Sequence, residues 1–171
     1  SWMVFSDPRR FGHLDIIPAG GEAEHPLLSH LGIEPLSNHL SGPWLSDVLR
    51  GKKTPIKSAL LDQRLIAGLG NIYVNEALHM SGISPRRLAQ TIAGKRAEKL
   101  VIAIRTVLAA AIEAGGTSLR DHVQPGGEIG YFVQRLSVYG RTSEPCLTCA
   151  TPIKELRQSG RASFYCPSCQ R

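Results

Sequence analysis

The chain has 171 residues and four cysteines, and all four fall within the last 26 positions as two Cys-x2-Cys pairs. Cys146–Cys149 and Cys166–Cys169 are separated by 16 residues, the spacing of a four-cysteine metal site. Two cysteines three apart on a tight turn aim both sulfurs at one ion about 2.3 Å away, and two such turns complete a tetrahedron. Four thiolates leave no position for water, so one structural Zn2+ is the expected occupant. The same ligands could hold an iron–sulfur cluster, or pair into two disulfides. A redox dithiol is disfavoured by the two matched pairs and by the lack of a βαβ pattern around them. The segment is too small to bury a core, so the metal must supply much of its folding free energy, on the order of 10 kcal/mol in comparable peptides.

Between the pairs, residues 152–157 (PIKELR) and 162–166 (ASFYC) read as two strands joined at Gln158-Ser159-Gly160-Arg161. Arg161 then sits at or just past a hairpin turn. Surface arginines are usually just solvated. One displayed on a metal-stapled hairpin, in a 145–171 segment with four basic and one acidic residue, suits a phosphate or minor-groove contact.

The charge is uneven. The chain carries +6 overall, but residues 1–51 hold three basic and six acidic side chains and residues 52–171 hold seventeen and eight. A region at +9 attracts a polyanion and loses that attraction in salt. No apolar run approaches the roughly 20 residues of a membrane span, and the start lacks the basic and apolar regions of a signal peptide. The reading is a cytoplasmic protein with no membrane partner, where paired cysteines are more often metal ligands than disulfides. Ser1 is not an initiator Met and WMVFSDPRRFG reads as a strand entering a turn, so the chain is expected to begin inside a larger protein.

Along the chain, residues 14–26 read as a linker, and HPLLSHLG and GPWLSDVLRG as short helices ending at glycine. Thr54 can cap a helix with Pro55 at its first position, and Ile56, Leu60, Leu61 and Leu65 follow at helical spacing. GLGN (68–71) breaks that helix, and Asn71 can cap a second one through IYVNEALHMSG, giving a helix–turn–helix shape. The longest helix runs from about Gly94 to Ala114, with Ala97, Leu100, Val101, Ile104, Leu108, Ala111 and Ile112 as its core stripe. Residues 117–130 are too polar and glycine-rich to pack and read as a loop. Tyr131 to Tyr139 reads as a strand. His79 and His122 are too isolated for a second metal site.

Taken together, DPRRFG (7–12), LLDQRLIAGLGNIYVNEALHMSGISP (60–85), GGTSLRD, GEIGYF, VYGR and the terminal GRASFYCPSCQ resemble the bacterial formamidopyrimidine-DNA glycosylases. The related endonuclease VIII glycosylases share the helical motif and the zinc finger, while DPRRFG and the glycine-rich loop favour the formamidopyrimidine branch. The resemblance implies a mainly α helix–two turns–helix domain, a C-terminal four-cysteine zinc β-hairpin finger and the remnant of an N-terminal β-sandwich strand. It divides the chain into the end of that sandwich (1–18), a linker with short helices (19–51), the DNA-binding domain (52–140) with a lesion-recognition loop (117–131), and the finger (141–171).

That family excises oxidised purines such as 8-oxoguanine and formamidopyrimidines from duplex DNA and cleaves the abasic strand by β,δ-elimination. The resemblance implies a monomeric bacterial repair enzyme associated with the nucleoid, whose partner is double-stranded DNA carrying an oxidised purine or abasic site. Its nucleophile is an N-terminal proline amine followed by a catalytic glutamate. Neither residue is present at Ser1-Trp2, so this chain alone is expected to be inactive. The alternatives are a naturally truncated, non-catalytic damaged-DNA binder, an endonuclease VIII-like enzyme, and a ribosomal zinc-ribbon protein.

By resemblance, Arg9 and Phe11 match the pair that fills the void left by a flipped base; read from the residues alone, Phe11 belongs in a core. Asn71, Lys52 and Lys57 match groups near the DNA backbone. Glu76 occupies a glutamate position of polar or structural role. Arg161 matches the finger arginine that grips phosphates at the lesion and takes part in δ-elimination.

Overall fold

The computed structural model describes residues 3, 5, 7, 10–117 and 131–171. Four helices and one hairpin carry the architecture: α1 (Gly42–Val48), α2 (Ile56–Leu60), α3 (Asn71–Met80), α4 (Lys95–Glu113), β1 (Lys154–Gln158) and β2 (Arg161–Tyr165).

The long helix α4 is the spine. Its stripe buries Ala97, Leu100, Val101, Ile104, Leu108 and Ala111 as expected, with Ala103 and Val107 added. Ile112 is the exception at 66% exposed, because one step beyond Ala111 rotates it off the stripe. Helix α1 crosses α4 closely at Gly42, where a Cβ would meet Glu98 Cγ at 2.6 Å. Ser41 caps α1, its Oγ accepting from Trp44 N at 3.3 Å, and Pro43 lies in the first turn. Leu45 and Leu49 join the α4 core, so the short helix read in GPWLSDVLRG packs with the helical body.

HPLLSHLG forms turns rather than a helix. Leu27, Leu28 and Leu31 remain exposed there, and so short a helix needs an apolar face packed on something else. Helix α2 is also shorter than its spacing suggested and stops after Leu60. Thr54 does not cap it. The carbonyl of Thr54 instead accepts Ala89 N at 2.9 Å, and Ile56 N donates to Arg87 O at 2.7 Å, so neighbouring chain fixes this end. The connection to α3 turns at Gly68 (φ +76°), braced by Gln63, whose Oε1 accepts Gly68 N and whose Nε2 donates to Leu69 O.

Tyr131 to Tyr139 is not a strand. A single turn of 3-10 helix, Phe132–Arg135, precedes three residues that wrap around one carboxylate. Ser137 N, Val138 N and Tyr139 N all donate to Glu76 at 2.8–3.0 Å, which removes the donors a sheet ladder would use. Glu76 is buried in α3, so its role is structural.

The antiparallel hairpin pairs Lys154 with Tyr165 through Gln158 with Arg161. Both turn residues, Ser159 (φ +50°) and Gly160 (φ +75°), have positive φ, the two-residue geometry that matches strand twist. Two cores result. One gathers buried residues from Leu40 to Leu136; the other is Val138, Cys146, Ile153, Phe164 and Cys166, with Tyr139 packed against both. Among the described residues before position 18 none forms a strand, since none has a hydrogen-bonded neighbouring strand.

Candidate nucleic-acid interface and metal centre

The cysteines converge. All four Sγ atoms lie within 4.8 Å of one another, with Cys149–Cys166 and Cys149–Cys169 at 3.4 Å and Cys146–Cys169 at 3.9 Å. A tetrahedral ion bonded at about 2.3 Å has sulfur–sulfur edges of about 3.8 Å, so the residues fit zinc. The sulfurs are free thiols, separated by more than the roughly 2.05 Å of a bonded pair, which removes the disulfide reading. Hydrogen bonding from the Thr151 side chain pulls the Cys149 thiol down to about 6. The Cys169 thiol is pushed up to about 12, first by its hydrogen bond with Cys149 and then by burial. Crowding opposes ionisation of all four sulfurs together, and a cation bound among them would offset that cost.

The two knuckles repeat one local geometry: Ala150 N donates to Cys146 O at 2.9 Å, and Gln170 N to Cys166 O at 3.0 Å. The second is anchored to the helical body by buried Gln170, whose Oε1 accepts Cys166 N and whose Nε2 donates to Ile83 O, both at 2.9 Å.

The hairpin tip is held against the helical body. Lys57, from α2, is fully buried and donates through Nζ to Ala162 O at 2.6 Å and Ser163 Oγ at 2.8 Å. Asn71 Nδ2 donates to the same Ala162 carbonyl at 3.2 Å. Asn71 is therefore not a cap: it is the first residue of α3, and Gly70 occupies the cap position without a side-chain bond. Asn75 Oδ1 accepts Phe164 N at 2.7 Å, and Ser58 Oγ lies 3.0 Å from Ser159 Oγ. Five contacts from α2 and α3 thus hold the hairpin between Ser159 and Phe164, two of them on the residue next to Arg161, whose own side chain is exposed.

Burial, and secondarily the charge of Arg161, lowers the Lys57 amine to about 8. Lys57 is thus a buried strut beneath the hairpin and not a solvent-facing lysine. Asn71, at the start of α3, bonds the residue next to Arg161; the first amides of α3, from Asn71 to Tyr73, precede the first helix-closing bond at Val74 N. Lys52 is exposed and lines a cleft with Ser58 and Asp62, on the α2 side of the hairpin tip. Phe11 stands 86% exposed, next to Arg10, whose N donates to Asp7 O at 3.1 Å, so the core placement read from residue type is overturned. Arg9 lies outside the described residues, as do loop positions 118–130 and His122. At the stem of that loop, Thr117 bridges to Tyr131, and Tyr73 OH reaches Thr117 Oγ1 at 3.2 Å.

Sequence reasoning missed Asn75, Ser163 and Gln170. Each is polar and buried, but nothing local marks it: Asn75 and Gln170 bond backbone 89 and 87 positions away, and Ser163 accepts the Lys57 amine from 106 positions away.

Comparison with known proteins agrees with this geometry. Residues 31–123 match the formamidopyrimidine-DNA glycosylase H2TH domain, and residues 143–171 match the zinc finger found in FPG and IleRS, which favours zinc over an iron–sulfur cluster. The formamidopyrimidine-DNA glycosylase of Beijerinckia indica is 54% identical over 99% of this chain and 62% of its own length. The crystal structure of the MutM (Fpg) protein from Thermus thermophilus superposes with a TM-score of 0.88 at 44% identity, over 96% of this chain and 62% of that one. A structure of MutM with DNA containing carbocyclic 8-oxo-G gives 0.86 at 34% identity, over 97% and 60%. The chain spans about three fifths of the relatives it matches.

Proposed function

Since this chain belongs to the formamidopyrimidine-DNA glycosylase family, we propose that it is the DNA-binding part of a glycosylase/AP lyase for oxidised purines, 8-oxoguanine and formamidopyrimidines, in duplex DNA. The reaction includes β,δ-elimination at the abasic site, in a cytoplasmic, nucleoid-associated monomer. Residues 52–140 form the DNA-binding body, with the loop 117–131 reading the lesion, and residues 141–171 form the finger.

The supporting observation is the meeting of Lys57 and Asn71 on the carbonyl of Ala162. It ties the β-strand that begins at Arg161, an exposed residue, to the start of α3. A kinked strand laid along that surface meets paired donors from Arg161 and helix-start amides, both suited to phosphate oxygens. Phosphate contacts fix register and carry no sequence information, which suits an enzyme that must find damage in any sequence. Phe11, exposed, is free to wedge between bases, and Arg9 to enter the vacated space. A damaged base costs less to unstack, which adds selectivity before the base is inspected. Arg161 assists δ-elimination by neutralising the departing phosphate. The residues of this chain bind, bend and position the strand; none of them is assigned the nucleophile's role.

Arg161→Ala tests the proposal through fluorescence anisotropy with an abasic-site duplex at moderate salt. The expected result is affinity reduced at least ten-fold with zinc content unchanged, since a charge-assisted contact is worth about 1.5–3 kcal/mol. Equal affinity for the two proteins would refute the assignment.

A further inference from the structure

We propose that His79 is a positioning residue of the metal centre, holding the Cys146 thiolate from outside the finger. The inference goes beyond the DNA-binding reading and does not depend on it. His79 Nε2 lies 3.7 Å from Cys146 Sγ, within reach of a sulfur acceptor. A zinc-bound thiolate carries no proton, so the imidazole is the donor, and this fixes its Nε2–H tautomer.

The other groups that bond the sulfurs come from the finger itself. Cys169 N donates to Cys166 Sγ at 3.4 Å, and Thr151 bonds Cys149. His79 belongs instead to the last turn of α3, 67 positions before its partner. Three residues later the chain receives Arg171 N on Gly82 O at 3.1 Å, and then the Gln170 amide on Ile83 O. Residues 79–83 therefore hold both knuckles, the first through a sulfur and the second through backbone and a side-chain amide. A cleft lined by His79, Ser81, Lys99, Thr148 and Cys169 brings solvent to this side of the centre. There the imidazole withdraws charge from the Cys146 sulfur, making it less open to protons and electrophiles, and keeps it aimed at the ion.

The test compares zinc-loaded wild type, His79→Phe and His79→Gln. Phenylalanine keeps a ring of similar size without the N–H; glutamine places an amide N–H near the position of Nε2. Zinc transfer to an excess of chromophoric chelator is timed, and iodoacetamide labelling of the cysteines is mapped by mass spectrometry. His79→Phe is expected to release zinc roughly ten-fold faster, as for lost outer-shell partners elsewhere, and to be labelled first at Cys146. His79→Gln should stay within about three-fold of wild type. Wild-type release by His79→Phe, or equal acceleration by both variants, would overturn the proposal, the latter by leaving His79 a packing role alone. If His79→Phe does not fold, the glutamine variant decides: slow release supports the proposal and fast release overturns it.

Discussion

The helical body and the zinc finger reach rigidity by different means. Among the described residues the body buries two dozen apolar side chains in one cluster, with Leu45, Ile56, Leu60, Leu78, Leu100 and Ile104 wholly inaccessible. The finger's cluster holds five, two of them metal-binding cysteines. At about 25 cal/mol per Å2 of apolar surface, the body gains its stability from burial, whereas the finger cannot. The finger borrows rigidity from an ion at its base and from polar struts along its length: Lys57, Asn75, Gln170 and His79. An element with little core of its own can still present one side chain accurately when anchored at both ends.

The strongest challenge to that contrast is removal of the metal. Exhaustive chelation should unfold residues 143–171 and abolish measurable binding to abasic-site duplex, while the body keeps its helical circular dichroism and a cooperative melt. Persistence of the hairpin's amide resonances in metal-free protein would show that the struts suffice without zinc.

A smaller effect is expected at Glu76, which holds the segment leading into the finger. Glu76→Leu strips three amides of their acceptor, at about 1–3 kcal/mol for each group left unsatisfied. Urea denaturation should show a loss of roughly 3 kcal/mol or more. A loss below about 1 kcal/mol would mean those amides find other partners.

Smaller again is a pH effect at Lys57. Its amine titrates near 8 when folded and near 10.5 when free, so between those values the unfolded chain holds more protons. Stability contributed at this site therefore rises with pH from about 8 to 10.5; below 8 both states are charged and the full burial penalty stands. Compared with Lys57→Met, the wild type should gain stability between pH 7.5 and 9.5. A constant difference would mean that Lys57 is not desolvated. The least effect belongs to Phe11→Ala, which should leave the melting free energy within about 0.5 kcal/mol because the ring is exposed.

The parts legible in the sequence were those with a short-range signature. Cysteine spacing located the metal, the stripe from Ala97 to Ala111 located α4, and Ser159-Gly160 located the hairpin turn. The readings that failed were ones that tertiary hydrogen bonds override. Thr54 and Asn71 have the side chains of caps, yet Thr54 joins residue 89 through its backbone and Asn71 turns to the hairpin. Tyr131 to Tyr139 reads as a strand, but the amides of 137–139 belong to Glu76, 61 to 63 positions away. The resemblance put Lys57 near the DNA backbone, and nothing in its neighbours shows that its amine is buried on a carbonyl 105 residues distant.

The central claim is that body and finger bring Asn71 and Arg161 to one phosphate strand. A double-mutant cycle on abasic-duplex affinity, using Asn71→Ala, Arg161→Ala and the pair, tests it most directly. Cooperation on a shared strand predicts a coupling energy of about 1 kcal/mol or more. Losses that add to within about 0.5 kcal/mol would contradict it, because the two residues would then act on DNA independently.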